Sequence, residues 1–171
     1  MTVAVKTGLW QLDTARSTVA IKHRTMWGLV TVKGVFGDVT GQGEVRPDGG
    51  ASGTVTLGAA SLDTKNTKRD THLRGPDFFD AERHPTVVFA VHDAALRQDD
   101  TVAISGELTV RGVSRPQSAT ATLTESSADG VTLTAEFTVD RDQFGLGWNQ
   151  LGMLRGLTTV TSTLRFTRTP A

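Results

Sequence analysis

The chain has 171 residues, 18 of them Lys or Arg and 18 Asp or Glu, so its formal net charge at pH 7 is +0. That balance provides no field to hold a polyanion, which argues against nucleic acid as a partner and against an anionic membrane surface. The absence of cysteine excludes disulfides, thiolate catalysis, thiolate-bound zinc and iron–sulfur clusters. The N-terminal MTVAVKTGLWQL lacks a charged region followed by an apolar run, and no window reaches the ~18 apolar residues that a spanning helix needs. A soluble, cytoplasmic chain without stable membrane insertion is the expectation, folded as a single domain over 1–171.

Period-two alternation begins early, the pattern of strands with one buried face. Val19, Ile21 and His23 alternate with Ala20, Lys22 and Arg24, and Val30, Val32, Gly34 and Phe36 alternate with Thr31, Lys33 and Val35. The Pro47–Gly50 cluster is only a turn long, and Asp48-Gly49 within it suits a tight hairpin. Helical character is expected over Asn66–Arg74 and the following FFDAERH segment, after which Pro85 opens a strand with Val87, Phe89 and Val91 on one face. Val102 with Ile104, and Leu108 with Val110, continue the alternation up to Arg111. Residues 117–124, 131–139 and 157–167 are rich in Thr and Val, and Asp99-Asp100, Arg115-Pro116 and Asp129-Gly130 punctuate the later part. The second stretch expected to look helical is a turn near Asp142–Leu146. This spacing predicts an all-β fold: an eight-stranded antiparallel closed barrel with short helical insertions, closure removing the edges that long Val/Thr strands would expose. An open sandwich is the fallback.

Four elements, in order, carry a family resemblance. Trp10–Gln42 has a Trp start, an Asp-x-x-x-Ser turn, a His closing the second strand and a Gly-x-Phe element at Gly34–Phe36. Ser61–Phe89 (SLDTKNTKRDTHLRGPDFFDAERHPTVVF) is the most specific of the four; GELTVRGVSRP (Gly106–Pro116) and FTVDRDQFGL (Phe137–Leu146) follow. Together they resemble the YceI family of lipocalin-like, polyisoprenoid-binding barrels. The resemblance implies a non-enzymatic protein that binds, sequesters or transports a long isoprenoid lipid, of isoprenoid quinone or polyprenyl phosphate type, inside the barrel and without a cofactor. Two departures stand out: Ala15 and Arg16 occupy the place where the family commonly has a His before Ser17, and the glycine-spaced Gly145–Gly156 segment lacks the usual acidic residue before the last strand.

An isoprenoid tail needs a dry tunnel, because each buried methylene contributes about 0.8 kcal/mol. The inward candidates are Val19, Ile21, Val30, Val32, Phe36, Val55, Leu57, Val87, Phe89, Val91, Leu108 and Phe137. The alternative is that they pack a small barrel solid, which about eight strands allow. Trp27 beside Met26, with Phe78, Phe79, Trp148, Met153 and Leu154, either lines an entrance or plugs the barrel ends. His23 is either a satisfied buried histidine or a head-group donor. Arg69 either grips a polar head or pairs with an acid such as Asp140 while Asp70 caps a helix turn.

His23, His72, His84 and His92 form neither an H-x-H nor an H-E-x-x-H pattern, so no metal site is expected. GVSRP is no nucleophile elbow, and GQGEVR and GLGWNQ lack the third glycine of a dinucleotide loop. Asp77 and Asp80 are read as helix-end and turn residues. Two competing classes stay open: a small hydrolase or isomerase using His72 with Asp70, and a protein-interaction module with an apolar mouth. A homodimer through strand edges also stays open.

Overall fold

The computed structural model describes residues 7–25, 30–75, 79–97, 99–127, 129–140, 144 and 157–169, with the side chains of 24, 25, 30–32 and 157 outside the description. The strand segments in chain order are β1 (Gly8–Leu12), β2 (Thr18–Thr25), β3 (Val30–Phe36), β4 (Val39–Val45), β5 (Gly50–Gly58), β6 (Leu62–Asp63), β7 (Thr86–Leu96), β8 (Thr101–Val110), β9 (Val113–Ser126), β10 (Gly130–Asp140) and β11 (Leu157–Arg168). Helix α1 (Thr67–Arg74) lies between β6 and β7. Among the described residues, no helix is long and apolar enough to cross a membrane.

Pairing runs β1-β4-β5-β7-β8-β9-β10-β11 and returns to β1, antiparallel throughout, which closes a barrel of eight strands. A branch β2-β3-β6 leaves β11. It consists of the continuations of three barrel strands beyond a bend. β1 and β2 lie in tandem along one edge of β11, where Leu12 pairs with Phe166 and the ladder resumes at Thr18 with Thr163. β4 and β3 pair with them in turn, and β5 and β6 pair with β4 and β3. The open sandwich is thereby excluded.

Each bend has a local cause. A short 3-10 helix, Thr14–Arg16, interrupts the first strand, and Asp13 Oδ1 accepts from the Ala15 N–H at 3.1 Å. Ser17 Oγ then donates to the Asp13 carbonyl at 2.7 Å and accepts from the Arg165 N–H at 3.0 Å. One hydroxyl thus replaces backbone partners that β11 would otherwise lose. The other two bends are tied together, with Gly37 N–H donating to Ser61 O and Gly58 N–H to Asp38 O.

Turn chemistry follows the sequence at Asp48-Gly49, where Gly49 has φ +88° and Asp48 Oδ1 accepts from the Gly50 N–H at 2.8 Å. The β8–β9 connection is a two-residue hairpin at Arg111 (φ +52°) and Gly112 (φ +74°), the left-handed pair that matches strand twist. Two expectations need correction. Helical structure ends at Arg74, with Gly75 as C-cap, and does not extend through Phe79–His84: Asp80 adopts φ +49° and its carbonyl accepts from the Arg83 and His84 N–H groups as a turn. Arg115-Pro116 is not a turn, because both residues lie inside β9.

Pro116 is tolerated there because the barrel wall is split beside it. Among the described residues, the β9–β10 ladder ends at Ala121 opposite Ala135, so 113–120 pair with β8 alone and 136–140 with β11 alone. A proline on a strand edge costs no ladder bond when its nitrogen faces the unpaired side. Gln117 Nε2 reaches across the split to Thr138 O at 3.5 Å.

Candidate functional site

The lumen is the one feature that the whole fold is arranged around. Side chains can just fill the interior of an eight-stranded barrel, yet here the inward positions of one half carry little bulk: Gly43, Ala51, Gly53 and Ala94 on one wall, Ala119, Ala121 and Ala135 on the other. The result is a chamber of about 200 Å³, here called upper, with Trp10, Leu123, Val131 and Phe166 packed together in its lining. A lower chamber of about 140 Å³ lies toward α1 and is lined by larger side chains, among them Ile21, Leu57, Val87, Leu108 and Val160. Each holds roughly ten times the ~10–15 Å³ that a single water needs. Strand β5 shows the hollowness directly: all nine of its residues are half-buried, because its inner face meets space instead of side chains.

The chambers share a waist formed by Val55, Phe89, Phe137, Ser162 and Leu164. The Phe89 and Phe137 rings stand 6.3 Å apart, tilted by 45°. Gly106 makes room for Phe89, since a Cβ there would sit 2.9 Å from the ring edge and run into the Ala90 carbonyl.

The structure places ten of the expected residues, Val19, Ile21, Phe36, Val55, Leu57, Phe79, Val87, Phe89, Leu108 and Phe137, around the lower chamber. Val91 lines the upper one, together with Val55, Phe89 and Phe137 from the waist. Phe79 is buried and packs edge-on against Phe36, with ring centroids 6.2 Å apart, so it belongs to the lining and cap of the lower chamber. Trp27, Phe78, Trp148 and Met153 lie outside the described residues, as do Met26 and Leu154; Val30 and Val32 are placed in β3 by backbone only.

The polar candidates divide. His23 is buried, 7% exposed, and its Nδ1 lies 3.2 Å from Oγ1 of Thr158, a buried hydroxyl that lines the lower chamber. Which of the two donates depends on the imidazole tautomer. Arg69 lines neither chamber; its Nε and Nη2 donate to Oγ1 and the carbonyl of Thr64, each at 2.8 Å. Asp70 accepts from the Thr64 N–H at 2.9 Å and the Thr64 hydroxyl at 2.6 Å, while the helix cap is Asn66, whose Oδ1 accepts from the Arg69 N–H. Asp70 therefore anchors α1 to the β6 segment instead of capping it. Among the described residues, no three His, Asp or Glu side chains gather as a metal site would require.

Sequence reasoning missed most of the upper chamber, including Trp10, Val102, Ile104, Leu123, Leu133, Leu164 and Phe166. The signal was present as alternation in 119–123 and 160–166, but alanines and Ser162 at inward positions flattened its amplitude.

Comparison with known proteins agrees with this architecture. A barrel from Burkholderia cenocepacia, BcnA, superposes with a TM-score of 0.80 over 90% of this chain and 98% of its own, at 21% identity. The polyisoprenoid binding domain from Saccharophagus degradans superposes with a TM-score of 0.77 over 96% of this chain and all of its own (100%), at 15% identity. In sequence, a UPF0312 protein of Ectopseudomonas mendocina is 38% identical over 63 residues, 37% of this chain, and that match spans about a third (33%) of the relative's length. A UPF0312 protein of Staphylococcus aureus is 26% identical over 127 residues, covering 70% of this chain and 71% of its own. The family model described as YceI-like domain matches residues 10–167, and on that near-complete match the chain belongs to the YceI-like family.

Proposed function

We propose that this single-domain barrel binds a polyisoprenoid lipid non-enzymatically, to sequester or carry it, with the tail in the two chambers. One observation carries the reading: a hollow lumen whose surface is predominantly apolar through both halves of the barrel, supplied mainly by Ala, Val, Leu, Ile and Phe with glycines in the upper half and Thr158 and Ser162 among its few polar groups. An apolar chain laid along it gains about 0.8 kcal/mol per methylene removed from water, so shape and length dominate affinity. The buried Thr158 hydroxyl, backed by His23, offers a polar contact in the lower chamber for the oxygen of a head group. Family membership and the likeness to a polyisoprenoid binding domain support the same reading. The acid–base alternative is weakened by Asp70, whose Oδ1 already takes both Thr64 donors away from either chamber.

Organic extraction and native mass spectrometry of the purified protein test the proposal. A co-purifying long-chain isoprenoid at near one per chain is expected. Repeated lipid-free preparations that also refuse added polyprenols would end the carrier reading.

A further inference from the structure

The two chambers adjoin at one level, and at that level two aromatic rings approach each other. Phe89 comes from β7 and Phe137 from β10, strands separated by two others in the wall, yet their centroids are only 6.3 Å apart, so both rings project into the lumen. Both line both chambers. The placement of Phe89 depends on Gly106, the inward position of β8 at this level, where any side chain would overlap the ring. On either side the lumen changes character: Ala119 and Ala135 help to keep the upper chamber wide, while the lower is walled by branched and aromatic residues.

Resting on the carrier reading above, we propose that Phe89 and Phe137 set a chain-length threshold. A short prenyl chain is accommodated in the lower chamber, beside the Thr158 hydroxyl, and only a longer chain passes between the rings and occupies the upper chamber as well. Crossing the waist requires the rings to turn aside, and the energy for this comes from the apolar surface that the chain buries beyond them. Selectivity for long tails therefore resides in the far chamber and its gate, with no role for the head group.

The test uses the full chain and four probes: geraniol, farnesol, geranylgeraniol and solanesol. Ala119→Leu adds bulk to the upper chamber alone, and Phe89→Leu opens the waist while keeping an apolar side chain there. In the unaltered protein, affinity rises steeply from the short to the long prenols. Ala119→Leu weakens solanesol by roughly tenfold or more and leaves geraniol within about twofold, whereas Phe89→Leu narrows the difference between farnesol and solanesol. Equal weakening of all four prenols by Ala119→Leu, or an unchanged length profile in Phe89→Leu, would overturn the threshold. Xenon-pressurised crystals provide a readout independent of lipid, because dry apolar cavities take up xenon. Two xenon sites separated by the ring pair are expected, with only the upper one lost in Ala119→Leu; one continuous site would also overturn the division. Failure of every prenol to bind the unaltered protein, with both xenon sites present, would reject the carrier reading and the threshold with it while leaving the two-chamber geometry standing.

Discussion

Single side chains hold the places where this barrel departs from regular pairing. Ser17 is the clearest case, since its hydroxyl both donates to Asp13 and accepts from Arg165 at the first bend. Ser17→Ala should lower stability by about 1–3 kcal/mol, the usual cost of leaving such partners unsatisfied, measured as a shift of the denaturant midpoint at constant slope. Asp70 plays the matching part for α1, accepting two hydrogen bonds from Thr64 in a buried setting. Asp70→Ala should cost about as much, roughly 1–3 kcal/mol, with amide exchange accelerating in Thr64–Arg74 before the rest of the barrel. An effect confined to β10 and β11 would contradict this anchoring role. At this scale the sequence was partly legible. The Asp13-to-Ser17 spacing marked a turn, but what the hydroxyl bonds to depends on Arg165, 148 positions along the chain, which no local pattern encodes.

At the scale of elements, alternation located most strands because a one-sided sheet places its apolar residues two apart. It found Val87–Val91 and Leu108–Val110 on the correct face, as their places in the lining show. It gave no sign that three strands are bent, since a bend preserves inward and outward facing while breaking only the hydrogen bonds. Pro116 was read as a turn because proline usually punctuates; here it lies within β9 where β10 has parted from it. Pro116→Thr would restore an N–H on that side. Extra hydrogen-exchange protection within 136–140 is the expected outcome, and unchanged protection would mean that the proline follows from the split without maintaining it.

For the molecule as a whole, eight strands and closure were readable from spacing, whereas hollow against solid was not. Ala119, Ala121 and Ala135 look unremarkable in sequence, and their effect arises only when they stand opposite Gly43 and Gly53 across the lumen. A hollow barrel that fills with ligand should be stabilised by linkage. At ligand one hundred times above Kd, about 2.7 kcal/mol is added to the unfolding free energy, seen as a rise in Tm with added polyprenol and a smaller rise with the same concentration of a short, weaker-binding prenol.

The split between β9 and β10 gives the two halves of the wall different compliance. Around the upper chamber, β9 and β10 are held together by ladder bonds from Val131–Ser126 to Ala135–Ala121, and any widening there must break them. Beside the lower chamber the described residues of the same two strands share no ladder pairs, and Gln117 reaches Thr138 O at 3.5 Å, so the girth can grow there without breaking a β9–β10 ladder. A barrel built this way is stiffer around the upper chamber than around the lower, so, on the carrier proposal, a bulky tail end or ring would be accommodated in the half nearest α1.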